Sequence, residues 1–288
     1  GLITSSGSRG WLFPPSLPLI LYGVVAQVQI DQLFIAGIIP GIILILLLSV
    51  YAIKKDEAKR IDLSKFSRKK IKSAIVDAAW EIPIPVIILG GIYSGFVTVV
   101  EASALTALYV IIVQFFIKGD LSFRKDFLKV ITDSTKLVGG ILIILAAAMG
   151  FTAYLIDAQI PQIALDFIRA NISSKFAFLL LLNIFLLITG SVLDIFSAII
   201  IVVPLIVPIS QVYGINPLHL GIIFLTNLEI GYMTPPVGMN LFIASFRFKK
   251  SILNLYKVSL PFLLILLIGL ILITYIPQLS LFLVDWVF

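Results

Sequence analysis

Two segments of the chain share one pattern, Gly-x-x-x-Pro-Pro: Gly10-Trp11-Leu12-Phe13-Pro14-Pro15 near the start and Gly231-Tyr232-Met233-Thr234-Pro235-Pro236 near the end. Both lie inside apolar stretches. Pro lacks an amide hydrogen and clashes with the preceding helical turn, while Gly admits dihedrals that other residues avoid, so the pattern predicts a helix that unwinds in mid-course. No other Pro-Pro pair occurs in the chain. Broken helices at matching places in the two halves of an apolar chain point to the substrate site of a secondary transporter built from inverted repeats.

Composition agrees with a chain folded in lipid. Of 288 residues, 60% are hydrophobic and 12% charged, with a mean hydropathy of +1.15, far more apolar surface than a soluble domain needs. With no Cys and a single His, His219, the chain offers no disulfide framework, no thiolate chemistry and no Cys/His metal cluster. The net charge of +6 does not indicate a nucleic-acid partner, because nine of the 21 basic residues fall between Lys54 and Lys72 and lack the aromatic interleaving that stacks bases. The positive-inside rule explains that cluster and assigns it to the cytoplasm.

The predicted fold is all-α, a polytopic membrane protein. Runs long enough to cross about 30 Å of hydrocarbon, roughly 20 residues each, fall near 33–53, 82–98, 99–117, 137–156 and 259–276. The pair 82–98 and 99–117 is expected to turn near Gly95. Leu121 to Leu137 carries an apolar helical stripe opposite Arg124, Lys125 and Lys129, which predicts a helix lying on the membrane surface. Residues 157–175 are assigned to the outside. Phe176 to Ser210 is interrupted by Thr189-Gly190-Ser191-Val192-Leu193-Asp194; two full spans and a re-entrant hairpin give the same parity, and a hairpin best explains a polar tip at mid-membrane. Beyond it, Asn216-Pro217 reads as a helix start, and the helix Leu218 to Ile230, at about 20 Å, is too short to span. It breaks at the second motif and resumes from Val237 to Phe246.

The domain reading follows: residues 1–28 end a first repeat with its broken helix, 29–81 hold a transmembrane helix and a basic cytoplasmic connector, 82–136 hold scaffold helices and a surface arm, and 137–288 form a second transport repeat with the hairpin 176–210, the broken helix 218–246 and a terminal transmembrane helix. Gly1-Leu2-Ile3-Thr4 opens directly on the first motif without an initiator Met, so the upstream part of the first repeat is expected to lie outside this sequence.

Aligned without gaps at an offset of 221, Ser5 stands opposite Thr226 and Ser6 opposite Asn227. Hydroxyl or amide side chains thus precede both breaks, and freed carbonyls and half-helix ends beside them suit Na⁺ coordination. The candidate Na⁺ ligands are Ser5, Ser6 and Gly10 at the first break, and Gly190, Ser191, Asp194, Thr226, Asn227, Gly231 and Thr234 at the second. Candidate substrate contacts are Arg9, suited to pairing with a carboxylate, together with Ser6, Pro14, Pro15, Pro235, Pro236 and Asn240. No cofactor is expected beyond Na⁺ as the coupling ion.

At these residues the chain resembles the large membrane (permease) subunit of tripartite ATP-independent periplasmic (TRAP) transporters. The matching stretches are Ser6-Gly7-x-x-Gly10-x-x-x-Pro14-Pro15-Ser16, Gly90-Gly91-Ile92-Tyr93-Ser94-Gly95 through Glu101-Ala102, Gly190-x-x-x-Asp194, and Asn227-Leu228-Glu229-Ile230-Gly231-x-x-Thr234-Pro235-Pro236-Val237-Gly238-x-Asn240-Leu241. The resemblance covers all 288 residues and the C-terminal two thirds of a usual member. It implies an elevator-type, Na⁺-driven importer of small organic acids in the bacterial inner membrane, working with a small membrane subunit and a periplasmic substrate-binding protein, in which the hairpin and broken helices move as one body. Two departures stand out: Thr98-Val99-Val100 lacks the Pro that the family commonly has before the Glu, and Arg9 replaces a usually apolar residue.

Plainer readings accompany the selected residues. A single Gly-x-x-x-Pro-Pro is also a packing kink; Asp194, Glu229 and Glu101 are also hydrogen-bonded structural acids; His219 is read as a snorkelling or capping residue near an interface. The alternative function is a stand-alone Na⁺-coupled anion symporter of related architecture without a binding protein. An enzyme is not expected, since no His-Glu-x-x-His, Gly-x-Ser-x-Gly or Ser/His pairing lies in an apolar span. A purely structural subunit would not explain two broken helices with polar flanks.

Overall fold

The computed structural model describes residues 9–55, 75, 78–94, 96–119, 121–159, 163, 166, 168, 171–172, 174–235 and 238–288. Ser5, Ser6, Pro236 and nearly all of the basic connector therefore lie outside the described residues, as does the side chain of Arg9. The described residues are helical with no strand. Two units emerge, one from residues 1–55 and 144–288 and one from 56–143.

In the first unit, a 3₁₀ turn Arg9–Leu12 precedes α1 (Leu17–Ala26) and α2 (Ile30–Lys55). Later come α5 (Lys175–Val192), α6 (Ile195–Val212), α7 (Pro217–Gly231), α8 (Met239–Phe248), α9 (Ile252–Tyr275) and α10 (Gln278–Val287). Local chemistry sets their starts. Ser16 Oγ accepts from Leu19 N at 3.4 Å with Pro18 in the first turn, Asn216 Oδ1 accepts from Leu218 N at 2.8 Å ahead of Pro217, and Ser251 Oγ accepts from Asn254 N at 3.4 Å. Each cap satisfies an orphan amide of the first turn.

Helix α7 is the core of this unit. Leu218 to Gly231 are buried without exception, as expected of a helix apolar on all sides. The elements packed most closely on it are α5, α2, α9, α1, α6, α10 and the 3₁₀ turn. At 15 residues it is about 22 Å long, too short to cross the hydrocarbon. The helices around it bury one face and expose the other: α5 buries Phe178, Leu179, Leu182 and Leu186 and exposes Leu181, Ile184, Phe185 and Ile188. Among the described residues five helices are long and apolar enough to span a membrane: Ile30–Lys54, Val99–Ile117, Lys175–Val192, Ile195–Val212 and Ile252–Tyr275. The outward apolar faces are those of helices solvated by lipid.

His219 differs from its reading. It is 2% exposed, with Nδ1 3.2 Å from Ser280 Oγ and Nε2 3.2 Å from Thr274 O. It is neither snorkelling nor capping; it joins α7 to the α9 and α10 ends, because Asn216 already caps α7 and the first turn enters the core directly.

In the second unit, Pro83–Pro85 and Gly91–Tyr93 flank a π-helical turn Val86–Gly90, followed by α3 (Val99–Ile112) with a second π turn Val113–Ile117. Glu101 has the structural role: Thr98 Oγ1 accepts from Glu101 N at 3.3 Å while Glu101 Oε2 accepts from Thr98 N at 2.7 Å, a reciprocal capping box. The missing Pro is no obstacle, because this box starts the helix. Thr98→Ala is expected to cost about 1 kcal/mol and to speed amide exchange over Val99–Glu101, with exchange in α7 unchanged.

Helix α4 (Phe127–Asp157) contributes residues to both units. It is continuous over 31 residues, so the surface helix expected over 121–137 and the span expected over 137–156 are one element from Phe127 onward. No Pro separates them, and the adjacent Gly139 and Gly140 lower helix propensity by only about 1 kcal/mol each against Ala. Phe123 and Phe127, part of the apolar stripe of that expected surface helix, stack on each other at 4.4 Å and meet Phe115 edge-on, each at 5.7 Å.

Candidate functional site

Three interrupted segments of the first unit meet at Tyr232. The Trp11 ring, in the first break, stands edge-on to the Tyr232 ring with centroids 4.9 Å apart and planes at 87°. At the tip joining α5 to α6, the Ile195 N–H donates to Tyr232 Oη. Tyr232 itself is the C-cap of α7. Both breaks and the hairpin tip are therefore tied to one side chain that sequence reasoning did not select. The offset of 221 pairs Trp11 with Tyr232, so the aromatic at each break was visible, but their contact was not.

The second break is closed by its own backbone. Met233 N donates to Ile230 O at 2.9 Å, Thr234 N to Gly231 O at 2.8 Å, and Thr234 Oγ1 to Gly231 O at 2.7 Å. Two donors thus already reach the Gly231 carbonyl, which had been selected as a cation ligand, while Thr234 Oγ1 keeps its lone pairs. Asn240 N donates to Tyr232 O at 3.1 Å, which sets the start of α8 against the break. Pro235 is exposed. At the first break, Phe13 N donates to Gly10 O at 3.2 Å, Gly10 and Pro15 are exposed, and Pro14 is half-buried.

Gly190 and Gly231 let α5 and α7 approach backbone to backbone. A Cβ on Gly231 would lie 2.7 Å from Gly190 C and 2.9 Å from Leu187 O, and one on Gly190 would lie 2.8 Å from Leu228 Cα. Gly10 has open space instead. Of the other hairpin candidates, Ser191 is buried and donates to Ile188 O at 2.7 Å. Asp194 is exposed and caps α6, accepting from Phe196 N at 3.0 Å, Ser197 N at 3.1 Å and the Ser197 hydroxyl. A carboxylate at a helix N-terminus is stabilised there by the amide dipoles.

Thr226 and Asn227 are fully buried one turn before the break. Thr226 Oγ1 and Asn227 Oδ1 have no hydrogen-bond partner, so two buried oxygens sit in the C-terminal half of α7, the end of a helix where partial negative charge gathers. Neutral oxygens in that setting fit a hard monovalent cation better than they fit an anion. Among the described residues no group of three or more His, Asp or Glu side chains could hold a metal. Asn183, 5% exposed on α5, bonds to Asn227. It too was missed, although a lone amide in the run Phe176 to Leu187 was a signal on its own terms.

Residues 1–279 match the family model described as the tripartite ATP-independent periplasmic transporter, DctM component. The chain is 38% identical over 287 residues to the C4-dicarboxylate TRAP transporter large permease protein DctM of Pseudomonas aeruginosa, covering 99% of this chain and 67% of that one. It is 34% identical to the isethionate TRAP transporter permease protein DctMQ of Oleidesulfovibrio alaskensis, covering 98% of this chain and 44% of the relative. It is 32% identical to the sialic acid TRAP transporter large permease protein SiaM of Vibrio cholerae, covering 99% and 67%. The chain thus spans between less than half and about two thirds of the length of these curated relatives, all named as transporter permeases and none as an enzyme. It belongs to the DctM component family of TRAP transporters, and is a multi-pass protein of the bacterial inner membrane.

Proposed function

We propose that, as a large permease subunit of this family, the chain takes part in Na⁺-coupled import of a small organic acid, together with a small membrane subunit and a periplasmic substrate-binding protein. The relatives' names span dicarboxylate, isethionate and sialic acid carriers; the shared chemistry is an organic anion, and the substrate class proposed for this chain is a small carboxylate. The relative named DctMQ supports a close partnership with a small subunit.

The observation that carries the reading is a structural repeat around the two breaks. Phe13 N–Gly10 O and Thr234 N–Gly231 O are the same closure 221 residues apart. Each break is followed by a ten-residue helix, α1 or α8, ending in a left-handed cap at Gln27 (φ 56°) or Lys249 (φ 51°). The next residues make the same bond, Val28 N to Gly23 O and Lys250 N to Ser245 O, and a long helix follows, α2 or α9, each with an internal Pro, Pro40 or Pro261. Such repetition supports two halves of one transport domain with broken helices at its centre, the architecture in which substrate and coupling-ion sites lie at the repeat interface. The hairpin α5–α6, tied to Tyr232, then moves with both breaks as one body in an elevator step. Its tip is re-entrant in this reading, although each arm has the length of a span.

The proposed roles extend the sequence reading; Ser5, Ser6, Pro236 and the Arg9 side chain enter it from the sequence alone. Thr226 and Asn227 contribute unpartnered oxygens to the coupling ion; Thr234, Ser191 and the Gly190–Gly231 backbone border it; Ser5, Ser6 and Gly10 form the quasi-symmetric counterpart. Arg9, Pro14, Pro15, Pro235, Pro236, Asn240 and Ser6 line the substrate path. The full-length subunit, reconstituted with both partners, is expected to take up its acid only with Na⁺ present and with more than one ion per turnover. Equal initial rates in Na⁺ and in choline media would overturn the reading.

A further inference from the structure

A run of buried polar side chains extends from α7 to α10. Asn227 Nδ2 donates to Ile223 O at 2.8 Å and to Asn183 Oδ1 at 2.7 Å. Asn183 Nδ2 donates to Thr274 Oγ1 at 3.1 Å, whose hydroxyl is also 3.3 Å from Asn183 Oδ1. Thr274 O and Ser280 Oγ then hold the two ring nitrogens of His219, each at 3.2 Å. None of the five side chains is more than 5% exposed.

Two backbone carbonyls set the sense of the bonds at the two ends of this run. Ile223 O can only accept and so favours the nitrogen of the Asn227 amide on its side, and Asn183 Oδ1 holds it there by taking the second hydrogen of the same nitrogen. With the Asn183 oxygen turned to that hydrogen, its own nitrogen lies toward Thr274, whose hydroxyl can donate back to the second lone pair of the same oxygen. At the far end Thr274 O can only accept, so His219 Nε2 carries a proton, and in the neutral ring Nδ1 accepts from the Ser280 hydroxyl. The consequence falls on Asn227 Oδ1. Both amide hydrogens are held on the other side, and the oxygen is left fully buried with no donor. An orphaned acceptor in such a place is costly unless it has a use, and the neighbouring Thr226 Oγ1 is orphaned in the same way.

We propose that Asn183 is a positioning residue for ion binding: by holding the Asn227 amide nitrogen, it presents Asn227 Oδ1 as a ready oxygen ligand for the coupling cation. This inference rests on the Na⁺-coupled reading above and adds to it a residue on a different helix that does not touch the ion. Asn183 acts on Asn227 as the outer partners of a metal site act on its ligands, fixing orientation so that the ion does not have to. Without it, the terminal torsion of Asn227, soft and roughly two-fold, has one hydrogen-bond partner instead of two, and the amide populates a second orientation whose nitrogen faces the ion.

The test uses the full-length subunit assembled with its partners in liposomes, with Na⁺ itself as the probe. Half-saturating Na⁺ is read twice, from substrate uptake and from the Na⁺-induced rise in unfolding temperature, which requires no transport. Asn183→Leu is expected to raise both values about 10- to 100-fold, with substrate half-saturation at saturating Na⁺ unchanged. Asn183→Asp, which keeps an acceptor facing the Asn227 nitrogen, is expected to hold half-saturating Na⁺ at or below the wild-type value. Thr274→Val, which removes only the hydroxyl bracing Asn183, is expected to raise it by a smaller factor and serves in place of the leucine variant should that one not assemble. A Na⁺-dependent wild type combined with an unshifted half-saturation in these variants, or a loss of maximal rate alone, would overturn the positioning role and leave the Na⁺-coupled reading intact. A wild type indifferent to Na⁺ would overturn both.

Discussion

Gly231→Ala should disassemble the centre of the first unit, and Gly190→Ala should do nearly as much damage. The added Cβ at Gly231 meets main-chain atoms of α5, Gly190 C at 2.7 Å and Leu187 O at 2.9 Å, and the one at Gly190 meets Leu228 Cα at 2.8 Å. Carbon contacts are favourable at about 3.5–4.0 Å, and backbone atoms inside two helices cannot swing aside as a flexible side chain can. The helices must therefore separate, which costs about 1–3 kcal/mol or more by overpacking alone. Separation also threatens two further contacts: the Asn227–Asn183 hydrogen bond, which crosses the same interface, and the Ile195–Tyr232 bond at the tip. Helix propensity pulls the other way by about 1 kcal/mol in favour of Ala, and loses. Because either substitution forces the same separation, the double variant is expected to cost less than the two singles added, with a coupling of about 0.5–3 kcal/mol. Thermal unfolding of the four proteins in the cycle measures it; strict additivity would mean that the two glycines do not share one interface.

The breaks illustrate what local chemistry makes legible. Pro-Pro cannot continue a helix whatever surrounds it, so the stop of α7 at Gly231 lies within one residue of the sequence reading, and Asn216-Pro217 marked its start for the same reason. The tip between α5 and α6, at Leu193-Asp194, falls at the end of the polar interruption read from Thr189 to Asp194. Helix α10 was not read at all. It is ten residues cut off by Pro277, too short for a span and without a charged face, and it settles beside α2 and α7 only once those exist. His219 and Asn183 are tertiary in the same sense: a ring nitrogen 3.2 Å from Ser280 reaches 61 residues along the chain, and an amide 3.1 Å from Thr274 reaches 91. Periodicity carries no information about such distances. The ion-site candidates divide along the same line. Residue type identified Gly190 and Gly231, but only the fold shows that they hold helices together, whereas the orphaned oxygens of Thr226 and Asn227 emerge from burial.

Gly37→Ala should be the most damaging methyl at any of the described glycines, and its reason lies at the first break. Gly37 sits inside α2, where Ala is normally the better helix former by about 1 kcal/mol, yet its Cβ would stand 2.2 Å from Leu12 O and 3.3 Å from Leu12 C. Leu12 is fully buried and ends the 3₁₀ turn Arg9–Leu12, so the turn must lift away from α2. One turn further along, a Cβ on Gly41 would meet the Phe13 ring at 2.6 Å, and the Gly37-x-x-x-Gly41 spacing makes one small-residue groove in which the break is seated. Lifting the turn carries Trp11 off Tyr232 and loosens the packing of the 3₁₀ turn on α7. Gly140→Ala provides the contrast: it is exposed in α4 with nothing within 4 Å, and is expected to raise helix stability by up to about 1 kcal/mol. In the reconstituted full-length complex, Gly37→Ala should lower the unfolding temperature and suppress uptake, Gly41→Ala should do so less, and Gly140→Ala should do neither. The distinguishing readout is the Trp11 fluorine resonance of the 5-fluorotryptophan-labelled subunit, assigned by its loss in Trp11→Phe: Gly37→Ala should shift it, because the ring leaves its place against Tyr232. An unshifted spectrum alongside normal uptake would mean that the first break does not depend on the α2 groove, and that the two breaks are held together by something other than this seat.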